Sequence, residues 1–255
     1  MNEKFKNLWE TKTKNDEWWS SFVTAPLGIV LNYIAVEYKC ITPNRITLAS
    51  FLVAITAAIC VVAGGSWNFV IGAILIHFSH VLDCMDGQIA RYRKVSSSVG
   101  SYFDRLTDQI QVIIWFGAAG YSASVQSGNA MPIYLSFIGV TFYSLRGYAK
   151  YVAIEIETAN DPSFPTKMAQ VTNQPATAGL GFSAKENLIW FAREQPKILA
   201  FNEGVFIFML SAGLVLDALT PMLWIFALSQ LAHGLFRPLQ HGCQISKNSK
   251  SPVRK

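Results

Sequence analysis

Residues 46–82 read ITLASFLVAITAAICVVAGGSWNFVIGAILIHFSHVL and contain no Asp, Glu, Lys or Arg. About 20 apolar residues cross a bilayer, so this run is long enough for two crossings. Its break falls at Ala63-Gly64-Gly65-Ser66, where paired glycines favour a turn. Two further runs repeat the pattern. Residues 109–145 carry no charge and break between Ser122 and Pro132, and residues 204–236 carry only Asp217, with a break from Asp217 to Pro221. The expected fold is therefore an all-α integral membrane protein of six transmembrane helices, near 45–64, 67–90, 100–124, 131–152, 198–215 and 219–237. Composition agrees: 51% of the 255 residues are hydrophobic and 15% charged, against about a quarter charged in soluble domains. Disorder, collagen and a disulfide scaffold are excluded. Cys40, Cys60, Cys84 and Cys243 lie far apart, without metal or redox spacing.

Loop charge gives the orientation. The three short breaks contain no Lys or Arg, whereas the N-terminal segment, Arg91-Tyr92-Arg93-Lys94, the 153–197 connection and the C-terminal tail are basic. Cytoplasmic loops carry that excess, so both termini are expected in the cytoplasm. Before the first span, Trp18, Trp19 and Phe22 lead into Leu27–Val36, an apolar stretch bounded by Pro26 and Glu37, broken by Asn32 and suited to an amphipathic helix in the interface, with a buried or re-entrant helix as the alternative. Three regions follow: an interfacial segment at 1–41, a transmembrane domain at 42–237 containing the 153–197 connection, and a basic, frayed tail at 238–255. Within the connection, a short helix is expected near Lys185 to Arg193. The net charge of +5 is split into short tracts, which suits membrane lipid headgroups as partners and not nucleic acid. The first residues mix acids and bases with no apolar signal core, and a prokaryotic plasma membrane is the expected location.

The chemistry concentrates between His80 and Asp108. Offsets of three, four, seven and eight put Asp83, Asp86, Gly87, Ala90 and Arg91 on one helical face, and steps of four align Gly100, Asp104 and Asp108 on the next helix. The short link from Tyr92 to Val99 brings the two faces together. Four converging carboxylates repel one another, and ionised groups in a span usually mark function. Divalent cations resolve the conflict, and oxygen-only ligands favour Mg²⁺ or Mn²⁺. Gly87, Ala90 and Gly100 leave room for a close helix or for a phosphate.

The pattern Asp-x2-Asp-Gly-x2-Ala-Arg-x8-Gly-x3-Asp-x3-Asp resembles the signature of the CDP-alcohol phosphotransferases at all eight fixed positions. Pro43, Asn44 and Thr47 are similar to that family's Pro-Asn-x-x-Thr at the first span. The resemblance implies transfer of a substituted phosphoryl group from a CDP-linked donor, here expected to be CDP-diacylglycerol, to a small alcohol acceptor with release of CMP, in phospholipid synthesis; the alternative within the family is the same chemistry with a soluble CDP-alcohol donor. It further implies two metal ions held by Asp83, Asp86 and Asp104, with Asp108 near the incoming hydroxyl as ligand or general base. Asn44, Thr47, Asp83, Gly87, Ala90, Arg91 and Gly100 are the residues it assigns to the CDP diphosphate, Arg91 by pairing with a donor phosphate. A homodimer is also implied.

Other residues admit two readings. Arg105, Arg146 and Lys150 suit an anionic acceptor; otherwise Arg105 pairs with a motif aspartate or a lipid phosphate, and Arg146 and Lys150 enforce topology at the interface. Asn202 and Glu203 either shape the acceptor pocket or anchor the fifth span. His77, His80 and Cys84 lack the matched spacing of a zinc site and suit hydrogen bonding inside the bundle. Two other classes use intramembrane carboxylates. A membrane prenyltransferase fits less well because it has more spans and two separated motifs, and a divalent-cation transporter would have no evident use for Gly-x2-Ala-Arg.

Overall fold

The computed structural model describes residues 3–12, 17–172 and 183–250, and every regular element among them is helical. Helix α1 (Glu3–Glu10) carries the N-terminal charges, with Lys4 paired to Glu37 at 2.5 Å. A π-helical turn at Ser20–Thr24 continues into α2 (Ala25–Ala35). Pro26 falls in the first turn of α2, where its missing N–H costs nothing. The buried face of α2 includes Gly28, Ile29 and Asn32, and Asn32 Nδ2 donates to the Met85 carbonyl at 3.1 Å and to Gln88 Oε1 at 2.9 Å. Leu27, Val30, Leu31 and Ile34 point outward. The polar face expected of an amphipathic helix is thus absent from α2, and the charged residues of this region lie on α1 instead.

Helix α3 (Pro43–Ala63) starts with Thr42 extended and Pro43 in the first turn, without a cap bond from the Thr42 side chain. It ends where Gly64 and Gly65 take φ of 69° and 86°, a conformation costly for any residue with a Cβ. Helix α4 (Ser66–Tyr92) returns, and α5 (Ser98–Ser127) and α6 (Met131–Asn160) form the next pair around left-handed Gly128. Two short helices follow, α7 (Phe164–Thr172) and α8 (Ala184–Glu194). The second matches the helix expected near Lys185, and a reciprocal Ser183–Glu186 capping box fixes its start. Then come α9 (Glu203–Val215) and α10 (Leu219–Lys250).

Three boundaries differ from the sequence reading. Helix α6 runs through Asn160, well into the expected connection, and the tail expected to fray is helical through Lys250 with Pro238 inside it. The two helices concerned, α6 and α10, pack on one another. The third difference is α9, which begins at Glu203 and not near 198. Residues 195–200 form a 3₁₀ turn and Phe201 adopts a φ of 48°, so the α-helix restarts after it. Residues 173–182 of the expected connection and 251–255 of the tail lie outside the described residues.

Aromatic stacking and close helix approach hold the centre. Phe116 and Phe226 stack with ring centroids 3.7 Å apart, and a Cβ at Gly139 would stand 2.4 Å from the Phe226 ring. Trp115 Nε1 donates to the Ala54 carbonyl at 3.0 Å, tying α5 to α3. Leu48, Leu52 and Ile59 on α3 and Ile71 and Ile74 on α4 are exposed. Among the described residues, three helices are long and apolar enough to cross a membrane: Pro43–Ala63, Ser66–Tyr92 and Leu219–Lys247.

Candidate active site

The link between α4 and α5 is built to hold two helix ends near one another. The Val95 amide donates to the Ala90 carbonyl at 2.9 Å, closing α4, and the Ser97 hydroxyl accepts from the Gly100 amide at 3.0 Å, opening α5. Helix α3 packs against both α4 and α5, whereas those two barely touch among the described residues. The space left between them is a cavity.

Asp83, Asp104 and Asp108 meet beside that space, with one carboxylate oxygen from each lying within 4.8 Å of the others. Asp86, three residues after Asp83, is buried and accepts a hydrogen bond from the Thr47 hydroxyl of α3. Three of the four expected carboxylates therefore converge, and the fourth turns toward α3. Oδ1 of Asp83 and Oδ1 of Asp108 are buried without a hydrogen-bond partner among the described residues. Unpartnered buried oxygens on like-charged groups cost free energy, and a hard divalent cation accepts such a donor set. The residues fit a metal of that kind.

The cavity between α4 and α5, about 130 Å³, is lined by Asn44, Thr47, Asp86, Gly87, Ala90, Arg91, Gly100 and Asp104, among others. Gly100 has Asn44 Oδ1 only 3.5 Å from where a Cβ would stand, and Gly87 has Arg91 Nη1 at 3.1 Å. These small residues do not serve close packing of α4 on α5. They keep the cavity open. Arg91 is oriented from outside the motif, since its Nε donates to the Thr11 carbonyl at 2.7 Å.

A family model described as CDP-alcohol phosphatidyltransferase matches residues 40–192, 153 of the 255 residues. The chain belongs to that family. It is accordingly an integral membrane transferase of substituted phosphate groups, in a family that uses divalent metal ions. Its fold resembles that of the phosphatidylinositol phosphate synthase of Mycobacterium tuberculosis, solved with CDP-DAG bound, at a TM-score of 0.54 and 16% identity. The similarity covers 86% of this chain and 93% of that one. No curated protein matches the chain in sequence.

Two more cavities flank the aspartates of this family member. One, about 180 Å³, has Glu17, Ser20, His80, Asp83 and Glu203 on its walls, and the other, about 150 Å³, has Arg105, Asp108, Tyr143 and Glu203. Glu203 borders both. The His80 ring connects them to the N-terminal segment: Nε2 lies 2.9 Å from the Ser20 hydroxyl and Nδ1 lies 3.6 Å from Glu203 Oε1. Glu17 accepts from Ser20 and, at 2.7 Å, from the Gly204 amide.

Of the basic residues considered for the acceptor, Arg105 lines a cavity beside Asp108. Arg146 instead donates to the Ala200 carbonyl at 2.5 Å and lies 5.0 Å over the Tyr143 ring, and Lys150 is exposed and on no cavity wall among those described. His77 is held by the Ala73 carbonyl, Ser211 and Trp19, and the Cys84 thiol faces Thr24, so no zinc cluster forms from them. Sequence reasoning missed Glu17, Ser20 and Tyr143. Glu17 sits in a mixed-charge segment where nothing in the spacing sets it apart.

Proposed function

We propose that this enzyme transfers a phosphatidyl group from CDP-diacylglycerol to a small alcohol and releases CMP. The observation that carries this reading is the meeting of Asp83, Asp104 and Asp108 beside a cavity walled by the remaining motif residues. In the proposed arrangement Asp83, Asp86, Asp104 and Asp108 hold two Mg²⁺ or Mn²⁺ ions. Bound there, the ions neutralise charge on the diphosphate and stabilise the leaving CMP.

The chain's own residues do the rest. Gly87, Ala90 and Gly100 let the nucleotide lie against the backbone, while Asn44 and Thr47 offer polar contacts from α3. Arg91 pairs with a donor phosphate oxygen. The hydroxyl proton of the acceptor passes to the Asp108 carboxylate.

The proposal extends to topology. Helices α3, α4, α5, α6, α9 and α10 are read as six spans, with the N-terminal segment at the interface and the aspartates and both termini on the cytoplasmic side. The basic residues of the α4–α5 link and the tail favour that side. The functional unit is proposed to be a homodimer.

The test is CMP release by purified protein in detergent with CDP-diacylglycerol, Mg²⁺ and a panel of alcohols, with Asp104→Asn as control. CMP that requires the alcohol and disappears in the variant supports the reading. Release only from a soluble CDP-alcohol would move the lipid to the acceptor side, and no release from either donor would overturn it.

A further inference from the structure

The cavity beyond Asp108 differs in charge from the one assigned to the nucleotide. Resting on the phosphotransferase reading above, we infer that this cavity is the acceptor site and that it selects a small amino alcohol bearing both an ammonium and a carboxylate. Its walls bring together Asp108, Glu203, Arg105, Gln109, Tyr143 and Tyr151. Asp108 fixes where the reacting hydroxyl must lie, and the other side chains decide what surrounds it.

The charges available decide between acceptor classes. A phosphorylated polyol brings about two negative charges and needs several cations, but one guanidinium, that of Arg105, faces two carboxylates here. Neither Arg146, which donates to the Ala200 carbonyl and lies over the Tyr143 ring, nor Lys150 is on this cavity's wall. An uncharged polyol would leave Glu203 and Arg105 without charged partners beside it. A zwitterion answers both. Its ammonium pairs with Glu203, whose separation of 3.6 Å from His80 Nδ1 exceeds a usual hydrogen bond and leaves acceptor capacity. Its carboxylate takes the planar fork of Arg105.

The step balances. The acceptor hydroxyl oxygen forms a new bond to the lipid-bearing phosphorus, the bond from that phosphorus to the bridging oxygen breaks, and CMP leaves with the electron pair. The hydroxyl proton moves to Asp108 and then to water. The ammonium and carboxylate of the acceptor are unchanged.

The experiment measures CMP release with CDP-diacylglycerol and Mg²⁺ against serine, ethanolamine, glycerol, inositol, glycerol 3-phosphate and inositol 1-phosphate at equal concentration. Serine is expected to be the best acceptor. Arg105→Gln and Glu203→Gln should each raise KM for serine about tenfold or more, with KM for CDP-diacylglycerol little changed. Arg105→Lys should recover part of the loss, and Arg105→Gln should narrow the preference for serine over ethanolamine. CMP release with a phosphorylated or uncharged alcohol in preference to serine overturns this inference and leaves the phosphotransferase reading standing. Absence of CMP with every alcohol overturns this inference, and absence of release from a soluble CDP-alcohol as well overturns that reading with it.

Discussion

Glu17 Oε1 accepts the backbone N–H of Gly204 at 2.7 Å, across 187 positions of sequence. The first turn of a helix leaves amide groups without intrahelical partners, and α9 has one of them satisfied by a carboxylate from the N-terminal segment. The same carboxylate takes the Ser20 hydroxyl, which also contacts His80. Position 204 must be glycine for this approach, because a Cβ there would run into Glu17.

Replacing Glu17 with Ala should therefore cost about 1 kcal/mol, in the range of a lost helix cap, and loosen the start of α9. A lower Tm in detergent and a higher KM for the alcohol are the expected outcomes. An unchanged KM with a lower Tm would confine Glu17 to stability.

The meeting of Asp83, Asp104 and Asp108 predicts that each Asp→Asn change lowers CMP release by about 10²-fold or more. Chelation by EDTA should abolish activity and added Mg²⁺ should restore it. Mn²⁺ binding, followed by electron paramagnetic resonance without any substrate, should weaken in Asp83→Asn.

Two glycines give opposite expectations. Gly87→Ala adds a methyl 3.1 Å from Arg91 Nη1 and should raise KM for the CDP donor, while helix propensity favours Ala by about 1 kcal/mol. Activity falls and Tm does not. Gly139→Ala forces the Phe226 ring to move and should lower stability by about 1–3 kcal/mol with the donor KM unchanged.

In the turn after α6, hydrogen bonds from Lys167 and Ser163 hold the Asp161 carboxyl down at about 2, against an ordinary 3.8. A depressed value means the stabilisation is complete above 3.8 and fades as pH falls through about 2. Asp161→Asn should speed amide exchange at Ser163 at pH 7, and the difference from wild type should narrow near pH 2.

Much of this was legible in the sequence because it rests on local rules. The Gly64-Gly65 turn, the Pro43 start and the Ser183 helix follow from backbone preferences. What stayed hidden depends on long-range contacts. Nothing in the sequence around Asp86 says that Thr47 will claim its carboxylate, and nothing around Arg146 says that it will be used on the Ala200 carbonyl. The start of α9 was misplaced for a related reason: an apolar composition at 198–201 says nothing about the positive φ that Phe201 adopts.

The homologous region spans 40–192, yet Glu17 lies before it and Glu203 after it, and the two are joined through Gly204. The four aspartates and most of the wall beside Asp108 thus fall inside the matched stretch, whereas Glu203, which borders both flanking cavities, stands outside it next to the glycine that the N-terminal segment grips. A change far upstream can therefore reach a cavity wall without touching a single aspartate.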